Sequence, residues 1–258
     1  MTDIIIPEQN TEHAKSMNLN ILNEVAKSVC KVYVSGEEKT VPSKGKTGFF
    51  FNTFKNIGVK MTINMLVIFI SPEEKESFHI GKEIKIISND GNLKETLSLN
   101  NQQHKIILLT NMDFCVIQFL DVNDQILKKF NFLDIDYNCK NSDYGKYLKK
   151  DVFILHYPSS DDLECSSGKI MEVNSEKDEF SHTLDSNKGS LGSPILLFPE
   201  SNENSKPKII GIYTSYIEDR EKNKGIFINK LVNLGLRINN QQTDSFGRSK
   251  KSRIHIFK

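Results

Sequence analysis

The residues best placed to do chemistry lie in one short segment, Gly189–Pro194, which reads GSLGSP. Small residues followed by a proline are typical of a tight turn that opens a strand. Ser190 and Ser193 offer hydroxyl groups, and a serine hydroxyl becomes a nucleophile when a nearby base accepts its proton. Leu191 stands between them and has no hydroxyl to offer. The segment therefore has the form of a reactive turn with a leucine near its centre.

This segment resembles the nucleophile loop of chymotrypsin-fold serine proteases, G-x-S-G-[GS]-P, at every position except the central serine. The family uses backbone N–H groups of this loop to stabilise an oxyanion. The resemblance implies an oxyanion-hole-like loop formed by Gly189, Ser190, Leu191, Gly192 and Ser193. Leucine replaces the nucleophile in this loop, and its side chain cannot attack a carbonyl.

Two segments of the first half extend the resemblance to this trypsin-like PA clan. Lys46–Phe50 (KTGFF) is similar to the strand that opens the first barrel in the glutamyl-endopeptidase-like and HtrA-like branches. In those branches the next strand ends T-N-N-H-V with the catalytic histidine, and Met65 falls at that position. Asp113–Gln118 (DFCVIQ) matches the strand that begins with the catalytic aspartate. The resemblance therefore implies degenerate triad positions Met65, Asp113 and Leu191, and methionine cannot act as a general base.

Further matches follow in order in the second half of the chain. Val152–Pro158 and Gly168–Ile170 resemble strands of intracellular trypsin-like domains. Ile209–Ile212 resembles the strand that pairs with the substrate backbone, and Lys224–Ile228 resembles the strand after it. The resemblance implies two six-stranded Greek-key β-barrels that meet at a cleft. A peptide or protein ligand can bind in such a cleft as an extra strand beside the second barrel.

Three residues are candidates for a specificity pocket, and the two family branches assign them differently. Asp185 lies six residues before Leu191, where the trypsin branch has an acid that binds Lys or Arg. The glutamyl-endopeptidase branch has a histidine near His182 that helps to bind an acidic side chain. Gly211 lies in the substrate-pairing strand. The alternatives are an exposed loop aspartate and a structural histidine in the barrel wall.

Other histidines could supply a base from elsewhere in the chain. We predict surface loops for His79 and His104, and a structural role at a strand end for His156. The histidines lack metal-ligand spacing, and the sequence contains no GxGxxG, P-loop lysine or HExxH motif. We therefore expect neither a metal nor a cofactor.

Composition limits the remaining possibilities. The 258 residues include 34 Lys and Arg against 33 Asp and Glu. The net charge is therefore too small to favour binding to nucleic acid through the overall electrostatic potential. The four scattered cysteines indicate neither a zinc site nor a disulfide framework, and Cys30 and Cys115 lie in apolar runs that predict burial. The sequence has no secretory signal and no apolar stretch that could span a membrane. We expect a cytoplasmic, intracellular protein with reduced thiols.

A dozen short apolar runs separated by polar turns predict an all-β fold. A short amphipathic helix at residues 16–28 should cap the domain, and a second short helix should follow the last strand. The polar segment Asp134–Lys150 should link the two halves. The expected organisation is an N-terminal extension and helix, a first barrel, a second barrel and a basic flexible tail, at 1–28, 29–136, 148–237 and 238–258.

The sequence thus predicts a catalytically inactive serine-protease homologue, or pseudoprotease, that serves as a peptide- or protein-binding or scaffold module. One alternative is an active endopeptidase with a displaced nucleophile such as Ser190 or Ser193. Another is a structural subunit of a larger assembly. Leu191 and Met65 favour the first hypothesis, because two of the three triad roles then lack a suitable side chain.

Overall fold

The structure is a computed structural model that describes residues 4, 19–34, 46–56, 60–88, 91–109, 111–141, 143–158, 162–185, 188–198, 206–215, 223–233 and 255–257. Helix α1 spans Leu19–Ala26, and residues 228–233 are also helical. Among the described residues, no helix combines the length and apolarity needed to cross a bilayer. The strands are β1 Val29–Val34, β2 Lys46–Asn56, β3 Lys60–Phe69, β4 Glu83–Ser88, β5 Lys94–Ser98, β6 His104–Leu109, β7 Phe114–Phe119, β8 Asp134–Ile135, β9 Asp151–His156, β10 Glu164–Asn174, β11 Glu179–His182, β12 Pro194–Leu197, β13 Lys208–Ser215, β14 Asn223–Phe227 and β15 His255–Phe257.

The first sheet is a curled half-barrel with the strand order β15-β6-β7-β3-β2-β1-β4-β5. Its central strands are apolar at nearly every position because both faces of the sheet are covered. Alternate residues of a strand point to opposite faces, so Phe50 of β2 lies in one core cluster whereas Phe49 and Phe51 lie in the other. The second cluster also contains side chains of the second sheet, such as Phe153.

The second sheet is a closed barrel of six strands. Its order is β12-β9-β10-β11-β14-β13-β8, and a further pairing of β12 with β13 closes the ring. Strand β8 lies outside the ring and runs parallel to β13 at Lys208 and Ile209. Closure leaves no free edge within the six-stranded ring, which stabilises the register of its strands.

The predicted all-β architecture of two barrels with short helices is confirmed. The first sheet differs in having eight strands rather than six, since β5 and β15 extend its two ends. Helix α1 caps the core as predicted, because Leu22, Val25 and Ala26 are buried in the shared cluster. Most of the predicted tail lies outside the described residues, but residues 255–257 form β15 on the first sheet.

The segment between the two sheets packs closely on the second barrel. The ring of Tyr144 stacks on that of Phe227, with centroids 3.8 Å apart. The Tyr147 hydroxyl donates to Asp136 Oδ2 over 2.7 Å. These contacts place the connection against the barrel as part of the folded structure.

Candidate functional site

The GSLGSP segment forms the tight turn that its composition predicts. A 3₁₀ helix at Lys188–Ser190 leads into a turn, and β12 begins at Pro194. The Gly192 N–H donates to Tyr213 O over 2.9 Å, and the Tyr213 N–H donates to Ser193 O over 3.0 Å. Gly192 has a φ of +87°, a conformation that favours glycine. The turn is therefore fixed against strand β13.

The same loop lies between the two sheets and contacts both. The Thr47 hydroxyl of β2 donates to Gly189 O over 3.0 Å and accepts the Tyr157 N–H over 3.0 Å. A Cβ on Gly189 would lie 1.5 Å from Pro158 O. A Cβ on Gly192 would lie 2.7 Å from that of Phe69. Both glycines are thus required by the close approach of neighbouring chain segments.

Ser190 lies at the centre of a buried polar group. Its Oγ is 2.6 Å from His156 Nδ1, and His156 Nε2 is 3.1 Å from Ser166 Oγ. Ser190 is 0% exposed and His156 is 1% exposed. Burial lowers the pKa of His156 to about 4, so the imidazole is neutral, with one nitrogen able to donate and the other able to accept. Each ring nitrogen faces a serine hydroxyl that can serve as its partner.

The sequence is compatible with a displaced serine and a histidine from elsewhere in the chain, but it does not identify His156 as that histidine. The two residues are 34 positions apart and lie on different elements, β9 and the loop. Their juxtaposition depends on the pairing of β9 with β12, which no local sequence pattern specifies. The only local signal is a polar residue at the end of the apolar strand β9, where His156 is buried.

Leu191, at the position where the resemblance implies a nucleophile, is turned toward the interior. Leu191 is half-buried and packs against the cluster shared by the two sheets. Ser193, two residues later, is fully buried, and its Oγ donates to Ser190 O over 2.6 Å. The side chains of the loop therefore stabilise the turn and the core beneath it.

Met65 is a core residue in the middle of β3. It is 1% exposed and is paired with Phe51 of β2 and Gln118 of β7. The part of β3 that contacts the loop is its last residue, Phe69, which lies against Gly192. The end of β3 therefore approaches the loop, and Met65 lies four residues earlier in the strand.

Asp113 lies at the turn before β7 and is engaged by a lysine. Its Oδ1 is 3.0 Å from Lys75 Nζ, and its backbone carbonyl accepts the Ile70 N–H over 2.8 Å. Lys75 belongs to the 3₁₀ helix Pro72–Ser77, which directly follows β3. The neighbouring Glu74 pairs with Lys46. A cation thus contacts the Asp113 carboxylate near the end of β3, whereas the resemblance assigns the histidine position to Met65 in the middle of that strand.

The three pocket candidates lie in different surroundings. His182 is fully buried between the rings of Phe180 and Tyr213, and burial lowers its pKa to about 3. A Cβ on Gly211 would lie 2.6 Å from the Phe180 ring. Asp185 is exposed. His182 therefore lies in the barrel wall, and Phe180 occupies the space beside both His182 and Gly211.

The prediction of a surface loop for His104 is wrong. His104 begins β6 and is buried, with Nε2 3.2 Å from Asp124 Oδ2. Asp124 compensates the cost of burying the polar ring. His79 is half-buried, and its Nδ1 lies 2.8 Å from Ile80 O. Within the described ranges, no group of three His, Cys, Asp or Glu side chains is arranged to hold a metal ion.

No protein-family model matches this chain, and no curated protein matches it. The fold and the loop define an all-β protein with a closed six-stranded barrel and a curled half-barrel sheet. This architecture is compatible with the double barrel of trypsin-like proteins.

Proposed function

We propose that this chain is a binding module on a protease-like double barrel, which holds a peptide or protein segment without hydrolysing it. The observation that carries the proposal is a contrast within the loop. Its backbone forms the turn that the resemblance implies, whereas the side chain at its centre is a leucine that packs into the core. The turn from Gly189 to Pro194 is built and anchored to both sheets. Leu191 packs into the core, and Lys75 pairs with Asp113.

The ligand site we propose is the end of β13 beside this loop. The pairing of β12 with β13 ends at Ile212, and Tyr213 is bonded to the loop. Thr214 and Ser215 extend beyond this point and are half-buried, with Ser215 paired to Lys224 of β14 on one side. An extended peptide can add on the other side by main-chain hydrogen bonds. The retained turn would then form one wall of the binding site.

Peptide-library panning followed by binding measurements tests this proposal. A selected peptide should bind the wild-type protein and the Ser215→Ala variant equally, because alanine keeps the backbone N–H. Ser215→Pro should weaken binding about tenfold or more, since proline removes that donor and fixes φ. A thermal melt of each variant reports on the fold. Equal affinity of the proline and alanine variants for every selected peptide would contradict strand addition at this edge.

A second candidate function rests on the 2.6 Å contact between Ser190 Oγ and His156 Nδ1. This distance is within the range expected of a nucleophile and its base. Opposing it, Ser190 is fully buried, and the other nitrogen of His156 faces the neutral Ser166 hydroxyl rather than a carboxylate. A substrate carbonyl could reach Ser190 only after the loop moved.

A fluorophosphonate probe separates the two candidates because it labels activated serines. The binding proposal predicts no labelling of the wild-type protein. Labelling that disappears in Ser190→Ala and persists in Ser193→Ala would favour the hydrolase and overturn the proposal.

A further inference from the structure

The two ends of the first sheet are protected in different ways. At one end, β5 (KETLS) is mostly exposed and carries Lys94 and Glu95, charges that discourage pairing with another chain. At the other end lies β6 (HKIILL), whose side chains are buried from Ile106 onward. Ile106 and Leu108 face one core cluster, and Ile107 and Leu109 face the other. An apolar strand of this kind is a template for strand pairing unless its edge is covered.

The cover on β6 is the C-terminal segment of the chain. Strand β15 pairs antiparallel with β6, with His255 opposite Leu108, Ile256 opposite Ile107 and Phe257 opposite Ile106. The pairing is short, and residues 234–254 separate β15 from the preceding helical residues. The edge of β6 is therefore covered by main-chain contacts with a segment remote in sequence.

We infer that the outer edge of β6 is a strand-binding site for an extended apolar segment of a partner protein, and that the C-terminal strand is its resident competitor. The sequence of the resident strand indicates the chemistry of the partner segment. It contains β-branched and aromatic residues, which favour strands, and it lies between the basic residues Arg253 and Lys258. The site lies on the first sheet, so the inference does not depend on the proposed site at β13.

Competition from β15 sets the apparent affinity of the β6 edge for a partner segment. A ligand tethered to its own site reaches an effective concentration on the order of millimolar. A partner segment of equal intrinsic affinity therefore binds weakly while β15 is in place and strongly once it leaves. Release of the tail would control access to β6.

A full-length variant with Ile256→Pro and Phe257→Pro tests the inference. Neighbouring residues of a strand direct their N–H groups to opposite sides, so one of these two prolines removes a donor that faces β6. The matched control is Ile256→Val with Phe257→Tyr, which keeps both N–H groups and the preference for a strand. The probe is a fluorescent peptide with the sequence of residues 251–258, KSRIHIFK, followed by anisotropy.

The proline variant should bind this peptide about tenfold or more tightly than the wild type or the control does. Absence of saturable binding to the proline variant, or equal binding to all three proteins, would overturn the inference. A second measurement needs no variant. The peptide with a photoreactive phenylalanine at the position of Phe257 should crosslink to residues 104–109 of the wild-type protein. Crosslinks confined to the second barrel would contradict the site.

Discussion

At the scale of single residues, the site is defined by what the polar groups are bonded to. His156 and Ser190 have the residue types of a catalytic pair, yet both side chains are buried, and the Ser190 side chain of the loop points inward to His156. Asp113 has the residue type of a catalytic acid, and its partner is the lysine side chain of Lys75. Reactivity depends on these surroundings as much as on residue type.

The depressed pKa of His156 predicts that stability falls in acid. The unfolded histidine titrates near pH 6.5 and the folded one near pH 4. Below pH 6.5 the unfolded chain binds a proton at His156 that the folded chain does not bind. The free energy of unfolding therefore decreases as the pH falls from 6.5 toward 4. The loss from this residue should be about 2–3 kcal/mol at pH 4.5.

Urea unfolding at pH 7.5 and 4.5 measures this effect. His182 and His104 also have lowered pKa values and act in the same direction, so the comparison of interest is between wild type and His156→Gln. Glutamine cannot gain a proton in this range, and the variant should lose less stability between the two pH values. Equal losses in both proteins would show that His156 is not held neutral.

A serine placed at position 191 should not become a reactive nucleophile. In Leu191→Ser, the new hydroxyl would have no base supplied by Met65, which is a core residue, and Asp113 would still pair with Lys75. We predict that fluorophosphonate labels neither this variant nor the Leu191→Ala control. Labelling of the serine variant alone would show that a base reaches position 191.

At the scale of elements, the loop from Gly189 to Pro194 requires glycine at two positions, Gly189 and Gly192, because neighbouring chain segments approach them closely. Gly189→Ala would place a Cβ 1.5 Å from Pro158 O, a backbone atom that cannot move cheaply. We predict destabilisation by about 3 kcal/mol or more, at the upper end of typical point mutations. Gly145→Ala is the control, because the nearest atom to its added Cβ is 3.7 Å away. Thermal unfolding of both variants checks the prediction, and similar losses would contradict it.

Much of the strand pattern could be predicted from the sequence, and the exceptions have physical causes. The runs that became β1, β3 and β7 are apolar because these strands are buried. Strand β5 was not predicted, since at the edge of the sheet it buries mainly Leu97 and is otherwise polar. The GSLGSP turn was predicted because glycine and proline act locally. The pairing of Ser190 with His156 was not, because it depends on contacts distant in sequence.

At the scale of the whole molecule, one core cluster joins the two sheets. It contains Phe49 and Phe51 of the first sheet together with Phe153 and Ile154 of the second. The other cluster lies within the first sheet. Because the joint cluster covers one face of the first sheet, loss of either sheet would expose the other's apolar surface. We expect the two to unfold together.

The four free cysteines report on this cooperativity. Cys30 and Cys115 lie in the core of the first sheet, and Cys139 and Cys165 lie in the shared core. Burial raises the pKa of all four thiols, to about 12 for Cys139 and Cys165, so they should resist alkylation in the folded protein. With increasing urea, mass spectrometry of alkylated peptides should show one common transition. Earlier labelling of Cys30 and Cys115 would show that the first sheet unfolds alone.

Native mass spectrometry of the protein with a selected peptide, followed over hours, shows directly whether the chain binds a peptide without cleaving it. We expect a complex whose mass equals that of the protein plus the intact peptide, with the peptide unchanged at the end and the complex weakened in Ser215→Pro. Accumulation of shorter peptide products, abolished by Ser190→Ala, would contradict binding without cleavage and identify the chain as a protease.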